Sequence, residues 1–500
     1  MTDSSLLLMI LVPAVSSVAV FFIGRRVGRQ VGWLAFLALL FSTLQALLAM
    51  SRVSAEGPVV ELYSWAPVFN LVFGLRADGL SLPFAATISI LGTVIALYSM
   101  PYMSHRIGEK KEEYGSYFAL YVLYAAGMLG TVLSTNLVEF YLFYELMLIP
   151  SYFLIAQWGY GERERIAFMY FLWTHVGALA LLLGILTTYA AAGSFDIYAI
   201  PGLLAAGSQS FDLLRWISIA MFLGFFVKMA CFGLHVWLPH AHAEAPTPIS
   251  ALLSPAMIGI GGYATVRITL MLFPTVFQAL SIALSVWALL TMFYGGFMAL
   301  TQDDIKRLLA YSSISQMGYI LFGVASTSLL GVSGSMFHYV SHGTGKGILF
   351  LAAGAIMLQT EGLRSIRKMG GLASKMPVTA TAALIGFLAI MGTPPLNGFQ
   401  SEWMLFGGAL MEAVRQQSVL RLVIASLGVA SSALTAGYGL WTIRRVFFGP
   451  RPEELEHVKE AGPLVTAPLV TLIVVTVALG VYPGVIVDAL TSTVRNILPA

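Results

Sequence analysis

Residues 222–267 read FLGFFVKMACFGLHVWLPHAHAEAPTPISALLSPAMIGIGGYATVR. Lys228 lies inside the apolar part of this stretch. Polar or helix-breaking residues follow before the next apolar run: His235, Pro239, His240, His242, Glu244, Pro246 and Pro248. A charge in hydrocarbon is costly and a broken helix leaves backbone groups unpaired, so both persist only along a polar path or inside protein. We therefore predict that this stretch is the working part of a membrane ion carrier.

The composition indicates a protein that lies in a lipid bilayer. Of the 500 residues, 58% are hydrophobic and only 10% are charged, and the mean hydropathy is +0.84. Such a chain has too few charges to solvate a globular surface of its size. Its one cysteine, Cys231, offers neither a disulfide framework nor a cysteine-ligated metal or iron–sulfur centre. Any redox cofactor would therefore belong to a partner.

Apolar runs of membrane-spanning length recur along the whole chain. A helix crosses hydrocarbon with about 20 residues, and this criterion predicts about 14 spans, the first of which we interpret as a retained span and not as a signal peptide. Their approximate ranges are 5–23, 31–51, 83–104, 114–133, 136–157, 165–191, 212–236, 247–271, 275–299, 308–327, 333–358, 377–412, 418–443 and 466–488. The predicted fold class is therefore an all-α polytopic membrane protein.

The distribution of positive charge supports this division. Loops that follow odd-numbered spans contain 18 of the 27 Lys and Arg residues, the opposite side contains seven, and Lys228 and Lys346 lie within spans. An excess of Lys and Arg marks the cytoplasmic side of a membrane protein. We therefore predict a multi-pass protein of a prokaryotic inner (plasma) membrane with both termini on the outer side, and we expect no nucleic-acid partner.

Ionisable residues inside predicted spans are functional hypotheses because burial of charge in lipid is costly. Those that we select as candidates are Glu145, His175, Lys228, His342, Lys346 and Glu402. His342 precedes Lys346 by four residues, so the two share one helix face within proton-transfer reach. A single buried Glu or Lys is also compatible with half of a structural ion pair, and we interpret His175 as a hydrogen-bonded packing residue.

The alternation of His240, His242 and Glu244 is also compatible with a metal site. The neighbouring prolines favour a broken-helix loop instead, and no second ligand cluster follows in the sequence. We therefore predict no metal site in this chain.

A repeated pattern connects the two halves. Glu145 is followed two spans later by the interrupted helix with Lys228, and a second interrupted helix, with Pro394 and Pro395, carries Glu402 five spans after the first. An odd offset inverts the second unit in the membrane, as in many secondary transporters. We predict helices 1–3 in residues 1–112, two inverted five-helix repeats, each with a broken helix, in 113–272 and 273–446, and helix 14 in 447–500.

Four segments resemble one known family. They are FYELMLIPSYFLIAQWG (143–159), KMACFGLHVWLPHAHAEAPTPISALL (228–253), LTQDDIKRLLAYSSISQMGYI (300–320) and GTPPLNGFQSEWMLF (392–406). They resemble the antiporter-like membrane subunits of respiratory complex I and its relatives: membrane-bound hydrogenases, archaeal deazaflavin-dependent dehydrogenases and Mrp cation/proton antiporters. A carboxylate at Glu402, where other members have a lysine, resembles the M-type subunit.

The resemblance implies a proton relay along the membrane midplane. Glu145 and Lys228 would form a coupled pair, in which an approaching negative charge favours the protonated lysine. The proton would then pass along the remaining relay residues and leave near the last of them. These residues are His235, His242, His342, Lys346 and Glu402. The resemblance also implies neighbouring membrane subunits, including sister antiporter-like subunits, surrounding lipid, and flavin and iron–sulfur clusters in partner subunits, with no cofactor in this chain.

One position departs from the family pattern. The M-type usually has a lysine in the span after the broken helix, where this chain has Gly259. Either water and His242 bridge the gap, or Lys346 serves as the central carrier.

Three functional hypotheses follow. The leading one is a proton-translocating subunit of a redox-driven complex, such as NADH:quinone oxidoreductase or a relative, with no redox chemistry in this chain. A second is a subunit of an Mrp-type Na+/H+ antiporter without redox partners. A third, a membrane anchor without transport, is disfavoured because Glu145, Lys228, Lys346 and Glu402 are all present.

Overall fold

A computed structural model describes residues 4–67 and 71–498 of the chain. Helices dominate, because a helix satisfies its backbone hydrogen bonds within its own segment, as hydrocarbon requires. Within the described residues, ten helical segments are long and apolar enough to cross a membrane, and the first of them, Ser5–Glu56, contains two helices. The predicted membrane class is therefore confirmed.

The N-terminal part consists of four long helices and one hairpin. Helices α1 (Ser5–Val27) and α2 (Gly32–Glu56) are joined by a 3₁₀ turn, and α3 (Ser81–Ile107) and α4 (Lys111–Leu133) follow the hairpin. Helix α1 packs on α4, and α2 packs on α3.

The hairpin corrects the prediction of an all-helical chain. Strands β1 (Val59–Ala66) and β2 (Leu71–Ala77) pair antiparallel within a connection that the sequence predicted to be a loop. Strand β1 is rich in β-branched and aromatic residues, which favour strand structure, and both strands lie outside the candidate spans. Glu61 of β1 accepts hydrogen bonds from the backbone N–H groups of Leu6 (2.8 Å) and Leu7 (3.0 Å), so the hairpin caps the first turn of α1.

The next helices include the predicted interruption. Helix α9 ends at Lys228, and α10 begins at Trp237 after a linker in which Ala230 and Gly233 have positive φ angles of 53° and 86°. A further break, between α5 and α6, was not predicted from the sequence. It occurs where α5 ends at Leu146, because Pro150 has no N–H group that could donate to the Leu146 carbonyl. The bounds are α5 Leu137–Leu146, α6 Leu148–Trp158, α7 Arg163–Ala192, α8 Ile200–Ala206, α9 Phe211–Lys228 and α10 Trp237–Glu244.

A fully buried segment, Thr247–Leu270, follows α10. It consists of α11 (Thr247–Leu252) and α12 (Ile260–Ala264), each followed by a π-helical stretch, Leu253–Met257 and Thr265–Leu270. Such wide turns are frequent at functional sites.

The second half repeats the theme of long helices with one interruption. Helix α16 ends at Ile390 and α17 begins at Asn397, on either side of Pro394 and Pro395, as predicted. The bounds are α13 Pro274–Thr301, α14 Ile305–Ala325, α15 Leu329–Gln359, α16 Pro377–Ile390, α17 Asn397–Arg415, α18 Val419–Phe448, α19 Pro463–Val481 and α20 Gly484–Ile497.

Helix α15 occupies the centre of this half. It is buried from Gly331 to Met357 and packs against α14, α16, α17, α19 and α3. Its glycines let neighbours approach closely, as small residues do in membrane helices; a Cβ at Gly334 would lie 2.5 Å from the backbone nitrogen of Leu405. The helix that carries His342 and Lys346 is therefore held rigidly.

Arg267 corrects the count of loop charges. It lies near the end of the predicted span 247–271 and was counted with the charges of the outer side, but it is buried and donates to Asp78 at 2.5 Å, joining the turn after β2 to the end of the buried segment. Asp78 also accepts from the backbone N–H groups of Leu80 and Ser81. Burial by itself would raise the pKa of Asp78, but Arg267 and the backbone hydrogen bond with Ser81 hold it below its usual value.

We expect Asp78→Asn to destabilise the folded chain by about 3–5 kcal/mol, because it leaves a buried guanidinium without its counter-charge. The loss is measured as a lower unfolding temperature in detergent. Since the folded-state pKa of Asp78 is depressed, the contribution is present above its ordinary pKa of 3.8 and is lost as pH falls through the folded-state value. Asp212→Asn, at an exposed pair with Arg215, is the control and should leave the unfolding temperature unchanged.

Candidate functional site

Glu145 lies next to a histidine from another helix. Its Oε2 is 3.0 Å from Nδ1 of His175 on α7, and the ring of His175 stacks on Phe171. The side chains are 18% and 38% exposed, so the pair lies at the lateral surface of the chain. The interpretation of His175 as a packing residue therefore missed its carboxylate partner.

Lys228 ends α9 in a buried position. Its Nζ has no hydrogen-bond partner in the described part of the chain and lies 4.4 Å from the centre of the ring of Tyr144, the residue that precedes Glu145. The Glu145 carboxylate is close enough to interact electrostatically with Lys228, but the two make no direct ion pair. Glu145 and Lys228 are therefore coupled without a direct contact, and the ring of Tyr144 lies against the ammonium group of Lys228.

We expect His175→Phe to lower proton flux about tenfold, because it removes a hydrogen bond to a charged group worth ~1.5 kcal/mol or more. The phenyl ring keeps the stacking on Phe171. His175→Gln keeps a donor and should stay near wild type. Flux across a series of pH values, measured in proteoliposomes, distinguishes the two variants. Equal flux in His175→Phe and wild type would refute a positioning role for this histidine.

His242 on α10 is buried near two buried lysines. Among the described residues, neither of its ring nitrogens has a hydrogen-bond partner, and its ring stacks on Phe350 at 5.0 Å. Lys346 and Lys306 both interact with it electrostatically. Two lysines near an unpaired imidazole form a compact group of proton-binding sites.

Lys306 is a buried residue that sequence reasoning placed in a loop. It stands in the first turn of α14, and its Nζ donates to the backbone carbonyls of Ala245 and, at 3.4 Å, Ala243. These carbonyls belong to the end of α10, where the last carbonyls of a helix lack intrahelical partners. The lysine therefore ties the second half of the chain to the broken helix of the first.

Lys346 and His342 continue the group along α15. Lys346 Nζ donates to the Leu309 carbonyl at 3.1 Å and to the hydroxyl of Ser312. Neither ring nitrogen of His342 has a hydrogen-bond partner within residues 4–67 and 71–498, and His342 interacts electrostatically with Lys346, His242 and His338.

His338 extends the group toward α17, although the sequence analysis did not select it. Its Nδ1 lies 2.9 Å from Oγ of Ser401, and its Nε2 lies 2.9 Å from Oε1 of Gln316. Ser401 precedes Glu402 in the chain. The spacing of His338 from His342, four residues on the same helix, was the signal that could have identified it.

Glu402 lies buried behind the second interruption. Its Oε1 has no partner, and Tyr319 and Tyr438 are near enough to interact with it electrostatically. A Cβ at Gly392, whose φ is +67°, would lie 2.6 Å from Oε2 of Glu402. The interruption thus needs a glycine where it meets the carboxylate.

His235 stands apart from the buried group. Its Nδ1 accepts a hydrogen bond from the Gly233 backbone at 3.1 Å, and its ring packs against Phe232 and Tyr294. None of its described contacts is to another predicted relay residue. The described residues also contain no group of three or more His, Cys, Asp or Glu that could hold a metal ion.

The fold and this group of residues agree with comparisons to known proteins. A family model described as "NADH:quinone oxidoreductase/Mrp antiporter, TM" matches residues 134–434, and one described as "NADH-Ubiquinone oxidoreductase (complex I), chain 5 N-terminus" matches residues 65–118. The first match covers more than half of the chain and includes every predicted relay residue. The chain belongs to the NADH:quinone oxidoreductase/Mrp antiporter family.

Curated members of this family align with nearly the whole chain. F(420)H(2) dehydrogenase subunit M of Methanosarcina mazei is 32% identical over 498 residues, which cover 96% of this chain and 95% of the relative. NADH-quinone oxidoreductase subunit M of Rickettsia felis is 31% identical, with coverage of 91% and 89%. A probable K(+)/H(+) antiporter protein of Rhizobium meliloti is 35% identical, but only 47% of its length is covered.

A solved member of the family has the same fold. A chain of respiratory complex I from Thermus thermophilus superposes with a TM-score of 0.86 at 26% identity, covering 99% of this chain and all of that one. The resemblance drawn from the sequence motifs is therefore confirmed.

Gly259, where the resemblance led us to expect a lysine, is closely surrounded in the structure. A Cβ at this position would lie 2.2 Å from Cδ2 of the Tyr339 ring. That ring stacks on Phe84 at 3.8 Å, and its hydroxyl donates to the Ala256 carbonyl at 3.1 Å. Tyr339 thus fills the space beside Gly259, and a lysine there would require the aromatic pair to move.

Proposed function

We propose that the chain is the proton-translocating, M-type subunit of a redox-driven complex of the complex I type. The observation that carries this proposal is the buried series of proton-binding side chains that links the two interrupted helices. Its members include side chains with unpaired polar atoms, which are Lys228, His242, His342 and Glu402. Unpaired ionisable groups are costly inside a membrane protein, so their retention favours a transport role.

We propose a relay that begins at Glu145 and Lys228 and ends near Glu402. Movement of negative charge toward Lys228, from Glu145 or from a neighbouring protein of the complex, would favour its protonated form. The exposure of the Glu145–His175 pair supports contact between this face and a sister antiporter-like protein. Since Tyr339 occupies the space beside Gly259, Lys346 is the better central carrier, with His242 and bridging water between it and Lys228.

His235 would stand at the margin of this relay. Its contacts are to its own linker and to Tyr294, whereas His242, His342 and Lys346 interact with one another. We keep it as a candidate for the entry or exit of protons from the lateral side.

The finer topology is also proposed. The ten candidate segments contain 11 helices that could span, because the first segment holds two. Adding α9, α15 and the interrupted α16–α17 gives 14 spans, and each of these three contains a buried ionisable residue, which is Lys228, Lys346 or Glu402. The paired interruptions support two inverted repeats in residues 113–272 and 273–446, between residues 1–112 and 447–500. Both termini would then lie on the outer side of a prokaryotic plasma membrane.

An Mrp-type cation/proton antiporter is the second candidate, favoured by the likeness to the Rhizobium meliloti protein. Purification of the chain with its partners in mild detergent tests the two. Flavin and iron–sulfur absorbance that co-purifies supports the redox-driven complex. Absence of both, together with cation-driven proton exchange in proteoliposomes, would favour the antiporter.

A further inference from the structure

A cavity with four arginines lies at the end of α18. It has a volume of about 580 Å³ and is formed where the last turn of α18 meets the loops before α16 and before α19. Its charged and aromatic lining consists of Arg367, Trp441, Arg444, Arg445 and Arg451. None of these residues belongs to the proposed proton relay.

Two of the four arginines in this cavity, Arg444 and Arg445, have no carboxylate partner among the described residues. Arg451 is paired with Glu456 at 2.6 Å, and Arg367 is exposed and lies 3.9 Å from Asp303. Among the described residues, Arg444 has no ion-pair or hydrogen-bond partner, and the guanidinium of Arg445 lies over the Trp441 ring at 4.9 Å. Guanidinium groups gathered in this way recognise phosphate, which they bind in a planar, two-pronged geometry.

The position of the cavity distinguishes a lipid phosphate from a soluble one. Helix α18 is mostly unburied along its length, and the apolar Leu440 and Phe448, which flank the cavity, are 54% and 63% exposed. Tryptophan residues such as Trp441 favour the membrane–water interface. The cavity therefore lies where a polar headgroup could bind while acyl chains follow the apolar surface of α18.

We propose that this cavity binds the headgroup of an anionic phospholipid. Arg444 and Arg445 would contact the phosphate, and Arg367 would approach it from the loop before α16. Basic pockets beside transmembrane helices on the cytoplasmic side are suited to such headgroups. Because a Cβ at Gly370 would lie 1.9 Å from the Pro450 carbonyl, the two loops are already in contact, and the lipid would hold both against α18.

The test uses the complete complex, delipidated in detergent and titrated with cardiolipin in mixed micelles. Bound lipid is measured by native mass spectrometry, and a photoactivatable cardiolipin locates it by cross-linked peptides. Arg444→Gln should weaken binding about fivefold and Arg444→Gln/Arg445→Gln about thirtyfold, because each cationic contact contributes about fivefold. Cross-links in wild type should map to residues 441–452.

Arg25→Gln/Arg26→Gln is the matched control. These arginines also end a lipid-exposed helix, and Arg25 lies over the Phe21 ring at 5.1 Å as Arg445 lies over Trp441. The control should bind cardiolipin like wild type; an equal loss in both pairs would show unspecific attraction and overturn the proposal. Displacement of cardiolipin by inorganic phosphate at equal concentration would also overturn it in favour of a soluble anion. Arg444 has no partner to lose, so the single variant remains informative if the double variant does not assemble.

Discussion

Lys346→Met is expected to lower proton translocation by at least about tenfold, which corresponds to ~1.4 kcal/mol in the barrier. Lys346 is fully buried and lies among His242, His342 and the carbonyl of Leu309. Lys346 interacts electrostatically with both His242 and His342, and it also donates hydrogen bonds to α14. No other proton-binding side chain in the described residues has all of these contacts. Methionine is similar in length but binds no proton, so the series would be cut at its centre.

The complex should still assemble in this variant. Lys346 forms no ion pair with the described residues, so the substitution leaves no counter-charge unpaired, and the Ser312 hydroxyl still donates to the Leu309 carbonyl at 3.1 Å. Flux is measured with a pH-sensitive dye in proteoliposomes, driven by the redox substrate of the complex or by an imposed cation gradient. Lys368→Met, an exposed loop substitution, is the control and should pump like wild type. An assembled Lys346→Met complex with wild-type flux would refute the central-carrier assignment.

Lys228→Met is expected to cause a loss of similar size, at least about tenfold in proton flux. Lys228 is buried at the end of α9 with no hydrogen-bond partner, so its ammonium group stabilises no described contact apart from the Tyr144 ring. Its removal should therefore spare the fold while it interrupts the first half of the relay. Glu145→Gln should act in the same direction.

A double-mutant cycle tests the coupling of these two residues. If Glu145 acts by changing the protonation of Lys228, Glu145→Gln should have little further effect in the Lys228→Met background. Multiplicative losses would show that the two residues act independently and would contradict the coupled pair. The same proteoliposome assay and the same Lys368→Met control apply.

The interrupted helices were predicted at the right places because their causes are local. Lys228 in an apolar run and the prolines near Gly392 are visible in the sequence, and the helices are interrupted at these places, between α9 and α10 and between α16 and α17, as expected.

The β1–β2 hairpin was missed because a search for apolar runs discards short polar connections. The last predicted span, 466–488, also merged the end of α19 with the start of α20, which are separate helices.

The site residues stay a prediction, and the structure adds contacts between them that the sequence did not predict. Glu145, Lys228, Lys346 and Glu402 were selected because ionisable residues in apolar runs are unusual. The hydrogen bond between Glu145 and His175 joins different helices, so no local spacing reveals it. Lys306 was interpreted as a loop charge because it precedes an apolar run; that its side chain turns inward to the end of α10 depends on how the halves pack.

The amino-acid pattern alone was sufficient to predict the membrane class, the family and the two broken helices. Hydrophobicity, charge and proline act within a single segment, so their effects can be predicted from the local sequence. Only the tertiary structure decided which distant residues meet. Arg267 pairs with Asp78 across 189 positions, and Tyr339 fills the space beside Gly259. Such contacts depend on how whole helices are placed relative to one another, and the sequence of a single segment does not determine that placement. For that reason the broken helix around Lys228 follows from the local sequence, whereas the proposal that Lys346 is the central carrier rests on the packing of Tyr339 beside Gly259.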